Sequence, residues 1–225
     1  MTNHHHSADD LPPDLPVFPL RGAILLPRAT LTLNVFEPRY LALIDHVLAN
    51  DRLMGVVQPG PDAGGDESPQ GKDFDLRQVG CAGRITSFNE DDDGRLDISL
   101  SGVARFKVGA DISSDAPFRM CAVDFSPYAT DFVSGYGEDD VDRPSLIAAL
   151  RGYLAASDLN ADWDRINSAS SERLVNTLAV LSPYGPEEKQ ALLEAETLQA
   201  RADALVALAE MELATRDDGS GTSIQ

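Results

Sequence analysis

Gly65-Asp66-Glu67-Ser68-Pro69-Gln70-Gly71-Lys72-Asp73 sets a lysine behind a glycine, the order in which a phosphate-cradling loop presents backbone N–H groups and a cation. The spacing departs from that chemistry: five residues separate the glycines instead of four. Asp73 also stands where a hydroxyl should meet magnesium, so the stretch reads as a flexible loop. Asn89, Asp91 and Asp93, followed by Gly94 and Asp97, place oxygens at alternate positions as a calcium loop does. Leu100 takes the place of the closing bidentate glutamate, and an acidic hairpin turn is the better reading. His46 is the one histidine outside the tail, so a serine or cysteine nucleophile would need it as base. It lies next to the apolar stripe of a predicted helix, where a surface or half-buried structural histidine fits better. His4, His5 and His6 form a loose tract in a polar tail. Cys81 and Cys121, each within a predicted strand, read as two reduced, buried thiols, since neither a disulfide framework nor a metal site has its further ligands. No catalytic residue, metal site or cofactor is expected.

The scaffold behind these residues is set by the stretch from Leu15 to Ala49. Val17 and Phe18 lie between Pro16 and Pro19, which predicts a short strand at a sheet edge, because proline donates no ladder bond. Ala23-Ile24-Leu25-Leu26 forms a second apolar run closed by Pro27. Thr30 to Val35 alternates, with Leu31, Leu33 and Val35 on one face, as a half-buried strand does. Glu37-Pro38 then opens a helix, since proline at the first helical position gives up only an N–H that goes unpaired there anyway. Tyr40, Leu41, Ile44, Val47 and Leu48 make its inward stripe.

Strands are expected at Leu53 to Val57, Leu76 to Phe88, Leu96 to Leu100, Val103 to Val108 and Phe118 to Phe125. Gly80 and Gly83 suggest a bulge or bend, and Gly102 separates two strands. Six or seven strands with one early helix predict an α+β fold, a mostly antiparallel curved sheet or pseudo-barrel, followed by a helical subdomain. The expected division is a disordered tail at 1–13, a β-rich part at 14–126, a linker at 127–142, a helical part at 143–215 and a disordered tail at 216–225. Helices are read at Ser145–Ala156, around Trp163 to Asn167, at Ser171–Ser182 carrying Leu174, Leu178 and Leu181, from Pro186, and from Thr197 to about Ala214. The last carries Leu198, Ala202, Leu205, Ala209 and Leu213 on one stripe, with a charged opposite face.

LPVFPLRGAILLPRATLTLNVFEPRYLALI resembles the start of the Lon protease N-terminal domain, the substrate-recognition module also found in cereblon and in small stand-alone bacterial proteins. FEPRY is most similar to the stand-alone branch. The resemblance continues through Leu53-Met54-Gly55-Val56-Val57, Val79 to Ile85, Ser101 to Phe106, Leu181-Ser182-Pro183 and Pro186 to Gln190, about residues 13–213. It implies a PUA-like barrel and recognition of unfolded or exposed polypeptide segments. In that family cutting is done by a Ser–Lys pair in a separate domain driven by an AAA+ ATPase, and neither module fits within 225 residues already claimed by the similarity.

The formal charge of −19 repels phosphate backbones and anionic lipid, so nucleic acid and membrane are poor partners. With 43% hydrophobic residues a core forms without disulfides or metal. The N-terminus has no apolar core of a signal peptide, and no run approaches the ~20 apolar residues of a membrane helix, so a soluble, cytoplasmic protein is expected. Three functions follow in order: a non-catalytic peptide-recognition module; an adaptor docking on a protease or chaperone complex through an acidic helical face; and a small hydrolase using His46. For the first, Phe36, Arg39 and Tyr40 are the candidate contacts, because they stand at the strand-to-helix junction where a groove opens. Taken singly, Phe36 and Tyr40 also fit plain core packing, and Arg39 an exposed or salt-bridged position.

Overall fold

The computed structural model describes residues 7–63 and 74–220. The phosphate-loop-like stretch from Gly65 to Asp73 and the His4–His6 tract lie outside them. Six strands, β1 (Asp14–Pro19), β2 (Thr30–Val35), β3 (Leu53–Pro59), β4 (Leu76–Glu90), β5 (Leu96–Ile112) and β6 (Arg119–Asp124), form one sheet in the order β2-β5-β4-β3-β1-β6. β5 also pairs with β6, so five strands close into a ring and β2 extends it from outside. Among the described strands the β1–β3 pairing is parallel and the others are antiparallel. The α+β pseudo-barrel expected from the alternation is therefore the observed architecture.

β1 is not an edge strand. It pairs with β6 from Asp14 to Val17 and with β3 from Val17 to Pro19. The prolines are tolerated because the partners are staggered: Val123 N donates to Pro13 O, so residues 13, 15 and 17 face β6. Pro16 turns its missing donor towards β3 before that pairing begins, and Pro19 turns its own towards β6 after that pairing has ended.

β5 is likewise one strand of 17 residues, without a break at Gly102. Gly102 marks a close crossing: a Cβ there would lie 1.9 Å from Leu26 O. Gly102 N donates to Ala29 O and its carbonyl accepts from Arg28 N, both at 2.9 Å, which ties the buried Ile24–Leu26 run to the strand. The expected bulge lies at Ala82/Gly83. A Cβ at Gly80 would instead lie 2.6 Å from Val57 Cγ2, 2.8 Å from Val56 O and 2.9 Å from the tip of the Phe106 ring.

Leu15, Val17, Leu53, Val57, Ala82, Ala104, Phe106, Cys121 and Phe125 pack together as the buried centre, with Phe106 and Phe125 edge-to-face at 5.8 Å. Leu11, inside the stretch expected to be disordered, is buried with them. The helix α1 (Pro38–Ala49) starts at its proline as expected and buries Tyr40, Leu43, Ile44 and Val47. Leu43 replaces Leu41 and Leu48 on the buried stripe; those two are only half-buried.

The chain divides into two units by its internal contacts. One runs to Ser134 and takes in Val180–Glu194; the other is Gly135–Ala179 with the chain from Ala195. In the first, Ser126–Phe132, expected to be linker, forms 3-10 turns carrying buried Asp131, and α5 (Pro186–Glu194) belongs to it as well. The helices α2 (Arg143–Ala156), α3 (Trp163–Ser168) and α6 (Leu198–Ser220) lie in the second, with α4 (Ser171–Leu181) up to Ala179. Asp142 caps α2 by accepting from Ser145 N, and Asp162 caps α3 by accepting from Arg165 N. The Arg151 guanidinium lies 3.7 Å over the Trp163 ring, and Arg201 donates to Asn176 Oδ1.

Leu198, Ala202, Leu205 and Ala209 are buried on α6 as expected, but the helix runs on to Ser220. Its outer face is not simply charged, because Ala200, Ala207 and Met211 are exposed beside Asp203 and Glu210. Leu181, where α4 ends, is 69% exposed. No described helix is long and apolar enough to cross a membrane.

Candidate functional site

Phe36, Arg39 and Tyr40 sit within five residues of the point where β2 becomes α1, and that junction sends them to three different environments. Val35 is buried, so strand alternation turns Phe36 outward, and its ring is 62% exposed. Glu37 adopts extended backbone ahead of the helix and takes two hydrogen bonds from Arg39, from Nε at 3.0 Å and Nη2 at 2.8 Å. Both donors meet the same oxygen, Oε2, and the guanidinium carbon lies 4.4 Å from the centre of the Tyr40 ring. Tyr40 is 4% exposed and stacks on Phe18 of β1 at 4.2 Å.

The Tyr40 Oη is buried without a hydrogen-bond partner among the described residues. Its pKa is raised, first by burial and then by the Glu37 carboxylate, against the lowering effect of Arg39. Tyr40 thus takes the core-packing place and Arg39 the salt-bridged place, whereas Phe36 is left bare. A bare aromatic beside a rigid ion pair offers apolar contact at little entropic cost.

The open side of β2 adjoins this junction. In its pairing with β5, residues 31, 33 and 35 lie opposite 100, 98 and 96. Leu100 and Ile98 are fully buried, while Leu31 and Leu33 are only half-buried. Asn34 donates from Nδ2 to Asp97 Oδ1 at 2.7 Å.

Three polar groups that periodicity did not single out hold this unit together. Arg105 donates to Asp131 through Nε at 2.9 Å, Nη2 at 2.8 Å and its backbone N at 2.9 Å, and through Nη1 to Leu193 O. Burial pulls the Arg105 pKa down, but the hydrogen bonds and charge of Asp131 carry it above its ordinary value. Gln58 donates to Pro186 O and accepts from Gly22 N, and Gln190 donates to Val79 O at 3.2 Å. The buried Lys189 ammonium donates to Val180 O at 2.6 Å, and burial lowers its pKa to about 8. Glutamine and lysine on a short helix carry no sequence signal that separates such a buried anchor from an ordinary solvated face.

The other chemical candidates stand apart. The His46 ring packs tilted against Phe118 at 5.3 Å, and among the described residues its imidazole makes no hydrogen bond to a serine or cysteine. Cys81 and Cys121 are both buried, and neither forms a disulfide among the described residues. The Cys121 thiol lies 3.1 Å from Asp111 Oδ1, and burial followed by that carboxylate pushes its pKa up to about 12, which suppresses the thiolate. In the acidic turn, Asp91 Oδ1 accepts from Asp93 N and Arg95 N, and Gly94 has φ +75°. That carboxylate is committed to closing the hairpin. No group of three metal-ligating side chains occurs among the described residues.

Comparison with known proteins agrees with this architecture. The family model of the ATP-dependent protease La (LON) substrate-binding domain matches residues 14–210. Lon protease 2 of Thermus thermophilus is 25% identical over 206 residues, covering 91% of this chain and 25% of its own length. The Lon protease of Desulfosudis oleivorans is 28% identical over 109 residues, 48% of this chain and 13% of that protein. This chain therefore spans a quarter or less of these two relatives. The Lon N-terminal domain protein from Xanthomonas campestris shares the fold, with TM-score 0.58 and 24% identity over 86% of this chain and 97% of that one. So does the N-terminal domain of Mycobacterium avium complex Lon protease, with TM-score 0.62 and 19% identity over 88% and 98%. With more than half its length matched, strand closure and helical part included, the chain belongs to the family of LON substrate-binding domains.

Proposed function

We propose that this chain binds exposed segments of other polypeptides and does not cut them, with Phe36 as the principal contact. The observation that carries this reading is the 62% exposed aromatic held beside the Glu37–Arg39 pair, in a chain of a substrate-binding family. An unfolded polypeptide supplies apolar side chains that cover such a ring, and one well-buried aromatic contact is worth roughly 1.5–3 kcal/mol. Arg39 and Tyr40 position the contact surface, the first by its ion pair and the second by anchoring α1 on Phe18. The charge of −19 disfavours nucleic acid as partner, and two buried thiols outside any disulfide suit a reducing cytoplasm.

The test is equilibrium binding of labelled, permanently unfolded polypeptides to the full chain. Phe36→Asp is expected to weaken binding about tenfold or more while the circular dichroism spectrum stays unchanged. Absence of binding across a panel of unfolded proteins, or equal binding by Phe36→Asp, removes this reading. A second reading, docking on a protease or chaperone complex through the helical unit, draws on Met211, exposed next to Glu210 on α6. Stoichiometric co-purification of one partner from native lysate, lost on changing Met211 to Asp, would favour it.

A further inference from the structure

We infer that the outer edge of β2 is a strand-addition site, and that the segments it takes are extended, amphipathic and basic at one end. The inference rests on the polypeptide-recognition reading and specifies its mode. Among the described residues β2 pairs with β5 alone; the other open edge, residues 86–90 of β4, lies beyond the β3 pairing and carries a register shift between Ile85 and Ser87. Gly102 N donates to Ala29 O, so the alternation of an antiparallel ladder directs residues 31, 33 and 35 towards β5. The N–H and C=O groups of Thr30, Thr32 and Asn34 therefore point away from the sheet.

Sheet edges are ordinarily blunted by proline, lysine, a bulge or an inward-pointing charge. Thr30 to Val35 holds no proline or charged residue, and its register with β5 is unshifted across six pairs. The apolar face also stops short. Ile98 and Leu100 are fully buried, whereas their partners Leu33 and Leu31 are half-open to solvent, as a row is when its next strand is missing.

A polypeptide laid against this edge would set alternate side chains beside Leu31 and Leu33. The intervening ones would lie beside Thr30, Thr32 and Asn34, which fixes an alternating apolar–polar pattern. Charge fixes its direction. The row Val35–Leu96–Glu90 leads into the exposed Asp91, Asp92 and Asp93, with Asp97 beside Asn34 and Arg95 the single base among residues 89–97. The Glu37 charge is already met by Arg39. An incoming segment is thus favoured with lysine or arginine near the hairpin end.

The experiment uses the full chain and a short fluorescent peptide alternating valine and threonine, with lysines at one end. Two N-methylated versions carry the methyl groups on odd or on even residues, so that only one version loses the donors facing β2. The expected result is binding of the parent peptide, weakened about tenfold by one methylation set and less than about twofold by the other. Replacing the lysines by glutamates is expected to abolish it. Thr32→Pro, which removes an outward N–H and no bond to β5, is expected to match the damaging methylation set. Equal tolerance of both sets overturns strand addition, and if Phe36→Asp still weakens binding, recognition at the junction stands without it. Binding of unfolded proteins but not of the parent peptide also overturns strand addition. Failure of the chain to bind any of these probes overturns both readings.

Discussion

Arg105 and Asp131 meet where almost no water reaches, with side chains 5% and 8% exposed, and each is satisfied mainly by the other. Such a pair adds little over a well-packed apolar one, but stripping one partner leaves a buried charge uncompensated. Asp131→Ala is therefore expected to lower the unfolding free energy by about 3–5 kcal/mol, read by urea denaturation. Nothing in the sequence paired these residues, because Asp131 lies 26 positions on, in a polar stretch composed like a linker. The same limit applies to Gln58, which meets Gln190 across 132 positions. Phe36 and Tyr40 show how far pattern reaches at this scale. Their junction was legible, but their opposite fates depend on Phe18, supplied by another strand.

The elements read most directly were those whose own period is unambiguous. Strict alternation located β2, and proline at the first helical position located the start of α1. Elements defined by neighbours were misread. Proline marked β1 as an edge because sequence shows the missing donor but not which partner it faces. Glycine marked a strand end at Gly102 because the missing side chain is visible in sequence, whereas the Leu26 carbonyl that requires it is not. Gly102→Ala would push a methyl group into that carbonyl and separate the Ile24–Leu26 run from β5. We expect a loss of about 3 kcal/mol in unfolding free energy by urea denaturation. Long helical stripes were the easiest to read, yet α6 turns alanines and Met211 outward among its acids, which a single apolar stripe does not foretell.

For the whole molecule, one buried cation links stability to pH. The folded chain releases the Lys189 proton near pH 8, whereas the unfolded chain holds it to its ordinary value of 10.5. Between those values unfolding takes up a proton, so this residue's contribution makes stability rise with pH and is lost as pH falls through 8. Urea unfolding at about pH 7 and about pH 9.5 is expected to show the wild type gaining on Lys189→Met at the higher pH. The acidic surface adds a separate effect, since self-repulsion at −19 is screened by salt.

The closed ring also sets an order of events during synthesis. β1 leaves the ribosome early but cannot pair fully until β6, ending at Asp124, has followed it. Asp131 must then emerge to neutralise Arg105, and Gln190 to occupy the carbonyl of Val79. A nascent chain halted before Gln190 thus has its strands but lacks the contacts of α5 on them, and until those arrive the newborn protein is itself an incompletely folded polypeptide.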